Sequence, residues 1–255
     1  MALSPSALAL PVAMATAAGL VGSFAVMRRM TLASDALSHV ALPGIALALL
    51  LHANPVLGGV AALLIGALVI WGLEHRTRMP TEVIVGVLFS AALAVGSLLT
   101  SGEELLEALF GASRVPGTAE TLVGLGAAIL IVWFMLRTRH RLLLALISAD
   151  LARTAGVNVS RLDLGFLLAF ALAVALGLRY LGILLMGSLI IIPAATARHV
   201  TRSLGAMLGA AVGFAVAATV LGAVGAGILH LPAGPLTITV AAAFFAIGVL
   251  LRRAG

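Results

Sequence analysis

Residues 31–51 read TLASDALSHVALPGIALALLL, and this stretch decides how the rest of the chain is interpreted. It is long and apolar enough for a transmembrane helix, because about 20 such residues cross the hydrocarbon core of a bilayer. Asp35 and His39 interrupt the run four residues apart, which puts both side chains on one face of that helix. Charged and polar groups inside the bilayer are energetically costly, so such a pair usually has a function. One hard oxygen and one borderline nitrogen suit a divalent transition metal.

The composition of the whole chain agrees with a membrane protein. The hydrophobic fraction is 62%, charged residues make up 9%, and the mean hydropathy is +1.23. A water-soluble domain is far more polar than this, and the short alternating strands of a β-barrel do not produce such apolar runs. We therefore predict an all-α, polytopic membrane protein with one integral domain over residues 1–255.

The apolar runs predict about nine transmembrane helices. They lie near Leu8–Met27, Thr31–Leu51, Val56–Leu73, Val83–Thr100, Thr121–Leu136, Leu162–Leu178, Leu181–Ala197, Leu204–Leu229 and Leu236–Leu251. The second and seventh contain Pro43 and Pro193, and proline removes a backbone hydrogen bond and kinks a helix. We expect these two prolines to shape the wall of a pathway; close packing through glycine and alanine is the competing interpretation.

The basic residues indicate the orientation. All fifteen are arginine, and most lie in alternate loops: Arg28 and Arg29, Arg76 and Arg78, Arg137, Arg139 and Arg141, Arg198 and Arg202, and Arg252 and Arg253. Cytoplasmic loops are enriched in arginine, so nine spans thread with the N-terminus outside and the C-terminus in the cytoplasm. The net charge of +6 therefore reflects topology and does not indicate a nucleic-acid partner. The arginines follow the first run instead of preceding it, which favours a retained span over a cleaved signal.

Two residue types are absent from the sequence, and each absence excludes a kind of functional site. There is no lysine, and a Walker A phosphate loop needs one, so ATP-driven transport requires hydrolysis on another polypeptide. There is no cysteine, which excludes thiolate metal sites and disulfides.

The segment between Arg137 and Asp163 is too polar and too interrupted to span. Within it, Ser148 is expected to cap a short helix, Asp150 to favour its positive end, and Gly156 to end it. Such a helix on the cytoplasmic face is the part that an importer would use to touch a motor subunit. A surface helix without a partner is the alternative from spacing alone.

Several blocks together resemble the ABC transporter permeases that import zinc, manganese or iron, most closely the zinc-uptake permeases. The first block is Gly22–Gly44, with Asp35 and His39 inside it. Further blocks follow in the family's order, at Leu109–Gly111, Asp150–Gly156, Gly182–Ala197 and Pro232–Pro235. After Gly111 the family commonly carries an aspartate, whereas this chain has Arg114 to Glu120, so the loop over residues 112–120 receives no role.

The resemblance implies an importer built from two permease chains and two ATP-binding subunits, fed by an extracytoplasmic metal-binding protein in a bacterial inner membrane. It implies that Asp35 and His39 are the metal-pathway pair and that Asp150, Ala152 and Gly156 belong to the ATPase-coupling region. The metal is then a transported substrate, and no cofactor is bound permanently. The blocks are shared by the zinc and manganese branches, so the metal stays open among zinc, manganese and iron(II).

Other hypotheses remain for comparison. Asp35 and His39 are alternatively an internal pair that fixes helix packing. Glu103, Glu104 and Glu107 either concentrate cations at the outer mouth, contact the partner protein, or form a plain solvated face. An ion-coupled secondary transporter should show an inverted internal repeat, and none is visible. A hydrolase with a Ser38–His39 dyad fails, because adjacent residues point to different faces of a helix.

Overall fold

The computed structural model describes residues 5–77, 79–99, 117–178 and 183–253. Within these ranges the chain forms ten α-helices and no strand, so the predicted all-α class is confirmed. In chain order they are α1 (Pro5–Met27), α2 (Thr31–Leu50), α3 (Pro55–Thr77), α4 (Thr81–Leu99), α5 (Thr118–Ile147), α6 (Ala149–Thr154), α7 (Val159–Leu178), α8 (Ile183–Val200), α9 (Leu204–Leu229) and α10 (Ala233–Arg253).

Seven helices of the described chain are long and apolar enough to cross a membrane: α1, α3, α4, α5, α7, α9 and α10. The two proline-containing helices, α2 and α8, have 20 and 18 residues. Each predicted span overlaps one helix, which confirms where the helices lie. The count of nine membrane crossings stays a prediction.

The fifth span ends later than the sequence suggested. α5 has 30 residues and continues past Leu136 to Ile147. At 1.5 Å per residue it is about 45 Å long, whereas the hydrocarbon core is about 30 Å thick. Arginine is a good helix former, so Arg137, Arg139 and Arg141 mark a change of surroundings without ending the helix.

The turn between α1 and α2 is short and fixed by backbone hydrogen bonds. The N–H of Met30 donates to the carbonyl of Ala25 at 2.9 Å, and the N–H of Arg29 donates to that of Val26 at 3.3 Å. These are the two bonds of a Schellman motif, with Arg29 in the left-handed region at φ 60°. The turn therefore joins α2 rigidly to the end of α1.

The helices approach closely where glycine lies at a crossing. A Cβ on Gly44 in α2 would collide with the carbonyl oxygen of Gly58 in α3, and a Cβ on Gly58 would collide with that of Gly44. Gly22 in α1 meets the carbonyl of Ile190 in α8 in the same way. Small residues at such crossings let helix backbones pack closely in membranes. The core between the helices is filled by large side chains, including Phe24, Phe166 and Phe170.

Candidate metal pathway and coupling face

His39 lies in the middle of α2, and its imidazole is partly buried. Its ring meets the ring of Phe89 in α4 edge-on, with the centroids 5.2 Å apart and the planes at 71°. The buried Nδ1 atom has no hydrogen-bond partner among the described residues. A buried nitrogen without a hydrogen-bond partner is energetically costly. Transient binding of a cation by this nitrogen would explain why it is retained.

Asp35 lies one helical turn before His39 in α2, as the i, i+4 spacing predicts. The side chains of residues 32–35 lie outside the described part of the structure, so the geometry of the carboxylate stays a prediction. Among the described side chains, no three His, Cys, Asp or Glu residues come together in a group that could hold a metal.

Pro43 and Pro193 lie inside continuous helices of the structure, in α2 and α8 respectively. α2 packs against α8, so both proline-containing helices belong to one part of the bundle. Pro43 is partly buried and contributes to the contact with Gly96 in α4, whereas Pro193 is buried. Pro43 thus lies in the helix that carries His39, and Pro193 lies in a helix that packs against it. Their role in shaping a pathway stays a prediction.

The short helix predicted after Ser148 is present as α6. The hydroxyl oxygen of Ser148 accepts a hydrogen bond from the N–H of Leu151 at 3.3 Å and caps the helix. Asp150 lies in the first turn and pairs with Arg153 at 2.9 Å on the solvent side. Ala152 points inward and is fully buried, while Leu151 is 56% exposed. α6 therefore presents an apolar side chain outward at one end of the bundle.

Gly156 ends α6 in the left-handed region, with φ 78°. The N–H of Gly156 donates to the carbonyl of Arg153 at 3.0 Å, and the N–H of Val157 donates to that of Ala152 at 2.9 Å. This is again a Schellman motif, in which glycine carries no Cβ penalty. Ala152 and Gly156 of the predicted coupling set thus each have a structural role, and their ATPase-coupling role stays a prediction.

The helix ends that carry the arginine-rich loops meet at one end of the bundle, which we call the arginine face. Arg28 at the end of α1 pairs with Asp163 of α7 at 2.7 Å, and Arg198 of α8 donates to the carbonyl of Val26 at 2.9 Å. The indole N–H of Trp71 in α3 donates to the carbonyl of Ser160 in α7 at 3.0 Å. The ends of α1, α3 and α8 and the start of α7 therefore lie on one side of the fold.

A cavity of about 650 Å³ opens on the arginine face beside α6. Its lining includes Glu74, His75, Arg153, Asn158 and Asp163. These residues were not predicted as a group, because Glu74 and His75 of α3 are far in the chain from the lining residues of α6, α7 and their connection. Phe89 was also missed, since an aromatic residue in an apolar span carries no signal of its neighbour.

The predicted outer glutamates, Glu103, Glu104 and Glu107, lie outside the described residues, as does the block Leu109–Gly111. Most of the loop over 112–120 lies outside them as well. Its last residue, Glu120, lies in α5, and its carboxylate accepts a hydrogen bond from the N–H of Gly117 at 3.2 Å. This bond caps the helix and assigns no function to the loop.

Comparison with known proteins identifies the family. The model of the ABC 3 transport family matches residues 3–252, which is nearly the whole chain. The chain belongs to the ABC 3 transport family. The resemblance inferred from the sequence blocks is thereby confirmed, and the chain is a permease of the metal ABC transporters. ATP hydrolysis belongs to a separate subunit of such transporters, as the missing lysine led us to expect.

Two relatives that are named for different metals match this permease with nearly equal sequence identity. It is 29% identical over 239 residues to the high-affinity zinc uptake system membrane protein ZnuB of Haemophilus influenzae, covering 91% of each chain. It is 30% identical over 234 residues to the manganese transport system membrane protein MntC of Halalkalibacterium halodurans, covering 90% of this chain and 80% of that one. Sequence identity therefore does not separate zinc from manganese.

A solved structure supports the fold of the permease. PsaBC from Streptococcus pneumoniae, in complex with Fab, matches with a TM-score of 0.82 and 26% identity. The match covers 97% of this chain and 91% of the other. The arrangement of helices described above is therefore similar to that of this solved structure over nearly its whole length.

Proposed function

We propose that this permease forms the translocation pathway of an ATP-driven importer of a divalent transition metal, with zinc as its principal substrate. The observation that carries the proposal is the buried Nδ1 of His39, which has no hydrogen-bond partner among the described residues and lies one helical turn from Asp35 on α2. An imidazole nitrogen with a carboxylate oxygen suits zinc, whereas manganese prefers oxygen ligands and binds nitrogen more weakly. Manganese or iron(II) import is the alternative within the family.

The proposed metal site is shared between two permease chains related by a two-fold axis normal to the membrane. Two-fold symmetry is the commonest arrangement of homodimers. When α2 faces the axis, two Asp35 and two His39 converge and offer two oxygens and two nitrogens, a tetrahedral set for zinc. The site binds the metal transiently, because a tight, closed site would not release it.

The proposed contact with the two ATP-binding subunits is α6. The outward side chains of Leu151 and of Ile147 just before it are 56% and 70% exposed, on a segment that the arginine distribution places in the cytoplasm. Exposed apolar side chains rimmed by polar residues mark interaction surfaces. Asp150, with its exposed pair to Arg153, supplies part of that rim. ATP-driven movement of α6 would rock the two halves of the dimer and change the geometry around the metal.

An extracytoplasmic metal-binding protein is proposed to deliver the metal from the opposite side. The nine-span threading puts the N-terminus outside and the C-terminus in the cytoplasm of a bacterial inner membrane, with membrane lipid around a single domain over residues 1–255. Loops between α2 and α3 then face the binding protein. This orientation rests on the arginines and on their meeting at one face of the fold.

The experiment that tests the function is metal uptake into vesicles. The permease is reconstituted with its ATPase and binding protein, and zinc, manganese and iron(II) uptake are measured side by side with and without ATP. We expect ATP-dependent uptake with zinc preferred at equal free concentrations. Preference for manganese would contradict the zinc assignment alone. Uptake by the permease without the ATPase, driven by an ion gradient, would contradict the ATP-driven mechanism and favour a secondary transporter.

A further inference from the structure

Arg28 at the end of α1 is held by two groups of α7. Its guanidinium pairs with the carboxylate of Asp163 at 2.7 Å and lies 4.6 Å from the centre of the Phe166 ring. The two charged side chains retain 15% and 23% of their exposure, and Phe166 is fully buried. A pair this sheltered from water is screened less than a surface pair, so it holds the two helices together more firmly.

On the α7 side, Asp163 is tied rigidly to the short helix α6. The Schellman motif at Gly156 fixes the chain as it leaves α6. Two residues later, the side-chain oxygen of Asn158 accepts a hydrogen bond from the N–H of Arg161 at 3.0 Å and caps α7. Because both ends of the connection are hydrogen-bonded, a displacement of α6 carries the first turns of α7 with it.

On the other side, Arg28 is tied rigidly to the helix that bears the metal pair. The Schellman turn at Arg29 leaves only three residues, 28–30, between α1 and α2. His39 lies eight residues beyond Thr31, about 12 Å along α2. Arg198 of α8 also donates to the Val26 carbonyl in this turn, so the turn has a second anchor.

We propose that the Arg28–Asp163 pair is the link through which movement of α6 reaches Asp35 and His39. Arg28 and Asp163 are positioning residues: neither touches the metal, and both act through α2. This inference rests on the proposed function, since it requires α6 to be driven by an ATPase. It adds to that function the particular contact that converts movement at the arginine face into a change at the metal pair.

The test measures metal transported for each ATP hydrolysed. Complexes of the permease, its ATPase and its binding protein are reconstituted with the parental chain, Arg28→Gln, Asp163→Asn and the double variant, and zinc is the probe. We expect each single variant to lower the zinc-to-ATP ratio about tenfold while the ATPase still co-purifies and still hydrolyses ATP. The double variant should lose no more than either single one, because both remove the same contact.

Two further variants separate linkage from simple stability. The charge-reversed variant Arg28→Asp/Asp163→Arg re-forms a pair and should recover part of the ratio. Arg161→Gln removes an exposed charge from the same turn of α7 and should leave the ratio at the parental value. The midpoint of thermal unfolding is recorded for every complex, so that loss of the fold is seen directly.

Three results would overturn the proposal. A fall of uptake and ATP hydrolysis in parallel with the unfolding midpoint would show that the pair only stabilises the fold. Additive losses in the double variant would show that the two residues have independent roles. A parental zinc-to-ATP ratio in both single variants would show that the pair has no role in coupling. Failure of the proposed function gives a distinguishable result, because the parental complex itself would then show no ATP-driven zinc uptake. In that case the proposed link would also be wrong.

Discussion

Gly156 has a backbone conformation that other residues rarely adopt, and this makes it a sharp test of what the end of α6 contributes. Its φ is 78°, and a Cβ built there meets no atom within 4 Å. A substitution is therefore strained by the backbone and not by crowding. We expect Gly156→Val to lower stability by about 1–2 kcal/mol and Gly156→Asn by less, since asparagine tolerates this region.

The measurement for Gly156 is the midpoint of thermal unfolding at one heating rate, recorded together with ATP-driven metal uptake. Uptake lost in Gly156→Val but kept in Gly156→Asn would show that the turn itself matters. Equal loss in both variants at parental stability would show that glycine is needed for contact with the partner. Equal midpoints for all three chains would contradict the strained geometry.

The structural role of a single residue was predictable from sequence where its neighbours in the chain determine its conformation. The Ser148 cap and the Gly156 turn follow from nearby residues, and both are confirmed. The left-handed conformations of Arg29 and His52 were not predicted, because these residue types give no such signal. The contact of His39 with Phe89 was missed for a different reason, namely that it joins two helices.

At the scale of elements, the crossing of α2 and α3 depends on Gly44 and Gly58. Gly44→Ala would place a methyl group against the backbone of Gly58, so the helices must move apart. Forced overpacking typically costs about 1–3 kcal/mol. The matched control is Gly72→Ala in α3, where an added Cβ meets no atom within 4 Å.

We expect the unfolding midpoint of Gly44→Ala to fall clearly and that of Gly72→Ala to stay close to the parental value. Any change at Gly72 should be a small gain of up to about 1 kcal/mol, because alanine favours helix more than glycine does. If Gly44→Ala unfolds at the parental midpoint, α2 and α3 are not as close as the structure shows.

Hydropathy located the helices well but did not predict where they end. α5 is the example: its apolar run stops near Leu136, yet the helix continues to Ile147 because arginine and leucine both favour helix. The helix stops only at Ser148, where the backbone becomes extended, at φ −156° and ψ 118°. The close approach of Gly44 and Gly58 was not predictable, because nothing in one sequence tells which glycines face each other across two helices.

For the whole molecule, the topology gives a direct prediction. The chain has no cysteine, so single cysteines can be introduced without background. Ala53, exposed between α2 and α3, should react with a membrane-impermeant thiol reagent in intact cells. Ala155, exposed after α6, should react only after the membrane is permeabilised. The reverse pattern would place the arginine face outside and would remove α6 from any contact with a cytoplasmic ATPase.

The sequence alone led to the family, through short blocks that each lie within one stretch of the chain, and to the short helix. That Asp35 and His39 form a metal pair stays a prediction. The links between these parts were not predictable: Arg28 with Asp163 and Trp71 with Ser160 join distant segments that only the fold brings together. The full ligand set of the proposed metal site was not predictable either, because it depends on how two chains meet in the proposed dimer.

ATP-driven zinc uptake by Asp35→Asn and His39→Leu tests the central claim most directly. Asp35→Asn keeps the shape of the side chain but removes the charge that compensates a dication, and His39→Leu removes the nitrogen ligand. His140→Gln is the control, because it removes an exposed imidazole from α5 that has no proposed role in transport. We expect both pathway variants to assemble with the ATPase and to take up zinc no faster than vesicles without ATP, while the control transports normally. Parental uptake by both assembled variants would contradict the account, and the pair would then be structural.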